Sequence, residues 1–239
     1  MLISHRMKFA FFRVPKSGST TMEFMLRMTG RFDDDDIVTG MQVGGFRQTN
    51  TPDFGDMIRR GKLGVNGMVN GHFVPADHMH LDPSQAIEEG YITQEQLEEY
   101  AVFTCVRHPL KRYISAFKHS QRRMPAPHLF VMSIEEKGSD LGLLTKPTHD
   151  YIYCNGVQVS DPLDFEVYQP ELRRLLSHVS DFSFPVIPKM NGRRGPFMND
   201  VPTDAHYWTP ELKATVCEVF AKDVEIYDAM KAGELCLTH

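Results

Sequence analysis

A lysine, a glycine and four hydroxyl side chains share one short segment, Pro15-Lys16-Ser17-Gly18-Ser19-Thr20-Thr21. The segment follows an apolar run and precedes a helical pattern, so backbone amides of the turn and of the helix N-terminus converge on one point. Gly18 permits close approach of an anion, and Lys16 adds a full positive charge. Hydroxyl donors come from Ser17, Ser19, Thr20 and Thr21. The segment therefore predicts a phosphate or sulfate site, the alternative being a serine-rich helix cap.

The order of these residues differs from that of the loop that binds ATP or GTP with magnesium. That loop reads G-x-x-x-x-G-K-[ST], with the lysine after the last glycine. Here Lys16 precedes Gly18, and no G-K-[ST] occurs in the chain. The sequence therefore does not encode the usual magnesium–nucleotide arrangement, and we expect no metal ion at this site.

A second polar group follows a second apolar run. Arg107 comes directly after residues 101–106, and Ser115 stands about two turns into the helix predicted next. A guanidinium gives bidentate, charge-assisted bonds to a phosphate, and a hydroxyl adds a neutral one. Arg112 either joins them or pairs with an acid to fix the helix. We interpret His108 and His119 as a turn residue and a helix-surface residue.

The two motifs together resemble the nucleotide-binding signatures of the sulfotransferases that use 3′-phosphoadenosine 5′-phosphosulfate (PAPS). The first is similar to their 5′-phosphosulfate loop, and the second, R-x-P-x-x-R-x-x-S-x-x-x-H, is similar to their 3′-phosphate site. The resemblance is to the carbohydrate branch, including the uronyl 2-O-sulfotransferases. It implies an α/β, P-loop-like, three-layer fold with a central parallel sheet flanked by helices. It also implies sulfuryl transfer from PAPS to an acceptor hydroxyl, possibly on a glycan.

Sulfuryl transfer needs a group that accepts the proton of the acceptor hydroxyl. Histidine suits this near neutral pH. The uronyl branch has a Gly-His segment between its two nucleotide motifs, and Asn70-Gly71-His72-Phe73 resembles it, so the resemblance implies His72 as the base and Lys16 as the catalytic cation. His78 and His80 are the alternatives. All three also fit plain loop histidines, and their spacing lacks a fourth ligand pattern for zinc.

A basic, glycine-bearing segment at residues 189–195 follows a strand predicted at 184–187. The resembled family closes a late loop over the nucleotide, which implies that Arg193 or Arg194 contacts the donor. The alternative is a solvated turn.

Alternating apolar runs and helical patterns position these motifs. We predict strands at residues 8–14 and 101–106, each followed by a helix, the second spanning 109–120. Further helices are expected from Pro170 and from Thr209-Pro210 to Gly233, the latter with Leu212, Val216, Val219, Phe220 and Tyr227 inward. Buried strands alternating with helices favour a parallel sheet, whose ligands lie at the strand carboxyl ends. With no repeat or long linker, residues 1–239 are predicted to form one domain.

The composition and charge of the chain argue against several other classes of protein. The net charge of −5 argues against a nucleic-acid-coating surface. No apolar run is long enough to predict a membrane span. Four widely spaced cysteines predict reduced thiols in the cytoplasm, although a bridge at Cys154 stays open, as does the oligomeric state. The remaining alternatives are an ATP-dependent phosphotransferase and a PAPS-binding module without catalysis.

Overall fold

The computed structural model describes residues 1–29, 36–38, 68–69, 72–73, 78, 80–120, 146–179 and 209–235. Strands β1 to β9 comprise Leu2–Ser4, Phe9–Phe12, Ile37–Val38, Met68–Val69, His72–Phe73, Ala101–Val106, Tyr153–Cys154, Val157–Gln158 and Asp161–Asp164. Helices α1 to α8 comprise Ser19–Met28, Pro83–Glu88, Gln94–Glu99, Pro109–Ser120, His149–Ile152, Tyr168–Ser177, Pro210–Val219 and Ala221–Ala232. The 3-10 turn Phe165–Val167 links β9 to α6. The predicted strand at 184–187 lies outside the described residues.

The central sheet has the strand order β3-β1-β2-β6-β9. Strands β2, β6 and β9 run parallel to one another, and β1 is antiparallel to both of its neighbours. The predicted central parallel sheet is therefore confirmed, with β1 as a reversed strand. The strand predicted at residues 8–14 is shorter in the structure, and it forms a hairpin with β1 in which Leu2 pairs with Phe11.

Helices cover both faces of this sheet, which makes the three-layer α/β fold that was predicted. On one face, side chains of β2 and β6 pack against α1 and α6; this cluster includes Phe9, Phe103, Met22 and Leu175. On the other face they pack against α2, α3 and α5; that cluster includes Phe12, Val102, Leu97 and Tyr151. Every residue of β2 is buried, as expected for a continuous apolar run between two helical layers.

The structure changes two predicted helix boundaries and the predicted burial of one residue. Helix α6 begins at Tyr168, ahead of the predicted start at Pro170. The predicted last helix is two helices, because the chain breaks at Phe220, whose backbone is not helical. Val219, predicted to face inward, is 38% exposed. The end at Gly233 is confirmed: this glycine adopts the left-handed conformation typical of a helix C-terminus.

Strand β9 was not predicted, because Asp161-Pro162-Leu163-Asp164 contains three residues that are rare in strands. It lies at the edge of the sheet as described, beside β6 alone, where a proline without an N–H is tolerated. Among the described helices, none is both long and apolar enough to cross a membrane.

Candidate active site

The candidate site lies where the parallel strands β2, β6 and β9 end. The segment Arg13–Gly18 leaves β2 and enters α1, and Arg107 follows β6 directly. Phe165 follows β9 in the same way, and the register pairs Val106 with Asp164, so Arg107 and Phe165 leave the sheet at one level. Carboxyl ends of parallel strands meet at one edge of a sheet, and ligands of such folds bind there. The structure thus brings the two sequence motifs together.

The loop after β2 has an unusual backbone. Lys16 has φ = 64° and Gly18 has φ = 91°, both in the left-handed region. Glycine adopts this conformation freely, but a residue with a side chain pays about 1–2 kcal/mol for it. Strained residues of this kind persist where the surrounding structure holds them, and they cluster at functional sites.

Four successive carbonyl groups of the loop are held by donors from inside the protein. The Ser17 and Ser19 hydroxyls donate to the Val14 oxygen at 2.8 and 3.0 Å. Arg112 Nε donates to the Pro15 oxygen at 3.0 Å, and Arg107 Nη1 donates to the Lys16 oxygen at 3.4 Å. The Cys105 thiol donates to the Ser17 oxygen at 3.1 Å; burial raises the pKa of this thiol to about 12, so it keeps its proton.

This anchoring fixes the direction of the loop amides. In a trans peptide, the N–H points opposite to the carbonyl of the same unit. Because the Pro15 and Ser17 oxygens point to donors on α4 and β6, the amides of Lys16 and Gly18 point the other way. Within the described part of the chain, neither amide has a hydrogen-bond partner. The loop therefore presents two backbone donors next to the N-terminus of α1, as an anion site requires.

Two cations stand beside these amides. Burial, and then the neighbouring Arg107 charge, lower the pKa of Lys16, and burial lowers the pKa of Arg107. No carboxylate forms an ion pair with either side chain among the residues described, and the buried Nε of Arg107 has no hydrogen-bond partner there. Glu166 acts on Arg107 electrostatically but pairs with Lys111. Two half-buried, adjacent positive charges favour a bound anion.

Arg112 does not join this pair of cations. It is buried with Asp223 of α8, to which it donates, and it also donates to the Lys146 oxygen at 2.6 Å. Asp223 in turn accepts the Thr148 amide at 2.6 Å. Of the two roles open from the sequence, the structure shows the one in which Arg112 pairs with an acid. Its Nε bond to Pro15 makes it a support of the loop.

The hydroxyl groups predicted as donors differ in their surroundings. Those of Ser17 and Ser19 donate inward to Val14, whereas the Thr20 hydroxyl accepts Arg13 Nη2 at 2.9 Å and keeps its own proton to donate. Ser115 is half-buried on α4, three residues after Arg112 and hence on the face that meets the loop. The side chain of Thr21, and Arg193 and Arg194 with the whole segment 189–195, lie outside the described residues.

Each candidate base has its own surroundings in the structure. His72 lies on β5, paired in register with Val69 of β4; its side chain is not among those described. His78 Nδ1 is 2.8 Å from the Tyr91 hydroxyl. His80 Nδ1 lies 2.8 Å from the Arg13 oxygen, which can only accept, so this nitrogen carries the proton. Burial, and then the Arg13 charge, lower the pKa of His80 to about 3, which makes it a weak base.

His108 binds the backbone at the start of α4 instead of facing the site. Its Nδ1 accepts the Leu110 amide at 3.2 Å, which agrees with the predicted turn role. In the described residues, no group of three or more His, Cys, Asp or Glu side chains has the arrangement of a metal site. The described cysteines, Cys105, Cys154 and Cys217, are free thiols.

Several supporting residues were missed by sequence reasoning. Phe165 contacts the loop and Arg107, and Cys105 holds the Ser17 oxygen. Arg13 forms a buried ion pair with Glu23 of α1 at 2.7 Å, behind the loop. The last pair did leave a signal, because a charge at the end of an apolar strand and a charge among helix core positions each need a partner. Phe165 and Cys105 left none, since their roles depend on which strands are neighbours.

A family model described as the sulfotransferase family matches residues 1–169. A solved sulfotransferase structure from Alicyclobacillus acidocaldarius shares 15% sequence identity, with a TM-score of 0.48 over 95% of this chain and 96% of that chain. No curated protein gives a significant sequence match. The matched residues 1–169 include the loop, Arg107, Ser115 and Phe165.

Proposed function

Because this chain belongs to the sulfotransferase family, we propose that it transfers a sulfuryl group from PAPS to an acceptor hydroxyl, with a carbohydrate as the favoured acceptor class. The observation that carries the proposal is that Lys16 and Arg107 lie next to each other beside two loop amides that point outward. Among the described residues, no carboxylate forms an ion pair with either cation. A donor with a sulfated 5′-phosphate and a separate 3′-phosphate has anionic groups for both ends of such a site.

In this proposal the loop binds the 5′ end of the donor. The amides of Lys16 and Gly18, the first turn of α1 and the hydroxyls of Thr20 and Thr21 donate to the phosphosulfate. Ser19 contributes through its backbone amide, whereas Ser17 supports the loop, because both its amide and its hydroxyl donate to the Val14 oxygen. Arg107 and Ser115 bind the 3′-phosphate, and Arg193 adds a contact from the segment 189–195.

The chemical step exchanges one sulfur–oxygen bond for another. The acceptor oxygen forms a bond to sulfur, the bond from sulfur to the 5′-phosphate oxygen breaks, and 3′,5′-adenosine bisphosphate leaves. His72 accepts the acceptor proton, and Lys16 stabilises the charge that develops on the sulfonate and the leaving phosphate. Such a transfer depends mostly on positioning and charge stabilisation, and in this proposal Lys16 and the loop amides supply the stabilisation without a metal ion.

The acceptor class rests on the segment Asn70-Gly71-His72-Phe73, which resembles the uronyl 2-O-sulfotransferases. We also propose a cytoplasmic location, because Cys105, Cys154 and Cys217 are free thiols, which is typical of reducing compartments.

The test of the donor compares 3′,5′-adenosine bisphosphate with AMP and ATP. A ligand at a hundred times its Kd stabilises a protein by about 2.7 kcal/mol, which for a chain of this size raises Tm by about 5–10 °C. The bisphosphate should give this shift with EDTA present, AMP should give much less, and Arg107→Ala should remove the difference. Arg174→Ala is the matched control, because Arg174 pairs with Asp161 and Glu171 away from the loop.

Equal stabilisation by AMP and the bisphosphate would overturn the assignment of the 3′-phosphate site. Magnesium-dependent phosphate transfer from ATP, with no sulfate transfer from PAPS to a panel of glycans, would show a phosphotransferase instead. Bisphosphate binding without transfer to any acceptor would favour the non-catalytic module.

A second test separates binding from chemistry. A general base contributes about 10²- to 10⁴-fold to the rate, so His72→Ala should lower kcat and kcat/KM together by this factor. The variant should bind the bisphosphate as wild type does. Residual activity within about threefold of wild type would exclude His72 on this argument, and the same assay on His78→Ala and His80→Ala would then identify the base.

A further inference from the structure

Phe165 stands at the point where the two halves of the candidate site meet. It is the first residue after β9, level with Arg107 after β6. The ring lies directly against the loop: a Cβ on Gly18 would be 2.0, 2.4 and 2.6 Å from three of its carbon atoms. The loop can therefore approach β9 this closely only because residue 18 has no side chain.

The same ring also contacts Arg107. The guanidinium carbon of Arg107 lies over the Phe165 ring, 5.2 Å from its centroid, within the range of a cation–π interaction. A cation over a ring is attracted without using any of its hydrogen-bond donors. Apart from the Nη1 hydrogen directed at the Lys16 oxygen, the Arg107 N–H groups therefore stay available to an anion while the side chain is held.

Arg107 has few other supports. Its Nη1 reaches the Lys16 oxygen at 3.4 Å, which is long for a hydrogen bond, and its buried Nε has no partner in the described part of the molecule. Arginine loses much rotamer freedom when it is fixed in one geometry. The aromatic contact is thus the main feature that orders the guanidinium before an anion arrives.

We propose that Phe165 is the positioning residue of the donor site. It joins the loop that binds the 5′ end to the arginine that reads the 3′-phosphate. The inference rests on the proposed function and deepens it, because it assigns part of the discrimination between donors with and without a 3′-phosphate to a residue that acts through Arg107. The consequence is that removing the ring should weaken this discrimination.

The experiment measures, by calorimetry, the ratio of the Kd of AMP to the Kd of 3′,5′-adenosine bisphosphate. Phe165→Leu should lower this ratio by about 3- to 30-fold, the factor that corresponds to a cation–π contact. Phe165→Tyr keeps the ring and should keep the ratio. Combining Phe165→Leu with Arg107→Ala should lower the ratio no further than Arg107→Ala alone, because both changes remove one interaction.

The matched control is Phe103→Leu. Phe103 belongs to the core cluster against which Phe165 packs, and its ring also lies beneath an arginine, with Arg174 5.8 Å away. This variant loses the same side-chain volume and the same type of contact at a distance from the loop. It should lower stability and leave the ratio unchanged. If Phe165→Leu does not fold, Phe165→Met fills the space without an aromatic face and replaces it.

The experiment distinguishes failure of the positioning role from failure of the proposed function. If wild type prefers the bisphosphate and folded Phe165→Leu or Phe165→Met changes the ratio by less than threefold, the positioning role is overturned and the proposed donor stands. If wild type shows no preference for the bisphosphate, the proposed function fails and this inference fails with it. If Phe103→Leu lowers the ratio as well, general loosening of the core explains the effect of both variants, and the role of Phe165 is overturned.

Discussion

Lys16 combines two unfavourable properties that a purely structural residue would avoid. It is a long side chain at φ = 64°, and its half-buried charge stands next to Arg107. Neither property stabilises the fold, so we attribute both to anion binding. Natural sites often keep such strain at a cost in stability.

This gives a prediction at position 16. Alanine is normally more favourable than glycine, but at a positive φ the order reverses. Lys16→Gly should be more stable to urea than Lys16→Ala by about 0.5–1 kcal/mol, and both should lose sulfate transfer. Lys8, at φ = 50° in the β1–β2 turn, is the matched control for the backbone. Lys8→Gly should likewise be more stable to urea than Lys8→Ala, although both variants lose the ion pair with Glu99. Greater stability of Lys16→Ala than Lys16→Gly would contradict the strain argument.

At the residue scale, sequence alone predicted an anion site from the types and order of Lys16, Gly18, Arg107 and Ser115. The structure brings Arg107 to the loop of Lys16 and Gly18, and the binding roles of these residues stay predictions. Phe165 was not predicted, because a single aromatic residue in a sequence has no feature that distinguishes a site contact from core packing.

Elements are the next scale, and here the loop between β2 and α1 depends on β9. A side chain at position 18 would have to displace the Phe165 ring in addition to adopting a positive φ. Gly90 also has a positive φ, of 73°, but a Cβ there would meet nothing within 4 Å. The two glycines therefore separate backbone strain from steric conflict.

We predict that Gly18→Ala lowers the free energy of unfolding by about 2–5 kcal/mol, the sum of backbone strain and overpacking. Gly90→Ala should cost about 1 kcal/mol or less, because strain is partly offset by the smaller entropy of the unfolded chain. Urea denaturation of both variants measures the difference. Equal losses would show that the ring yields without cost.

Element prediction succeeded where local signals agreed. Strand β6 and helix α4 have the predicted bounds, because an uninterrupted apolar run is followed by Pro109 at the first helical position. Helix α3 begins with a capping box of Thr93 and Gln96, another signal that is local in the sequence. Strand β9 forms against its local preference, because pairing with β6 and burial outweigh propensity. That tertiary effect is outside the reach of a single sequence.

At the scale of the whole molecule, one buried ion pair links distant parts of the chain to the loop. Arg112 of α4 holds the Pro15 oxygen and pairs with Asp223 of α8, which also binds Thr148 through its amide and hydroxyl. Residues 15, 112, 148 and 223 thus meet in one network. Breaking a buried pair is costly because the remaining charge stays desolvated.

We expect Asp223→Ala to lower the free energy of unfolding by about 3–5 kcal/mol. It should also weaken binding of 3′,5′-adenosine bisphosphate, because Arg112, which holds the Pro15 oxygen, loses its buried partner. The double variant with Arg112→Met should cost less than the two single changes added together, since it leaves no unpaired charge. Glu99→Ala breaks the exposed pair with Lys8 and should change stability little. Additive losses in the double variant would argue that the pair is not coupled.

The contact between Gly18 and Phe165 also restricts how this sequence can vary. A larger residue at position 18 has no room until the ring at position 165 has gone, whereas position 165 can shrink while Gly18 stays. Two substitutions that are tolerated together are therefore accessible in one order only. Among relatives that share this loop, we expect any side chain at position 18 to be accompanied by a small residue at position 165, and a lineage that crossed this path to have lost the aromatic ring first.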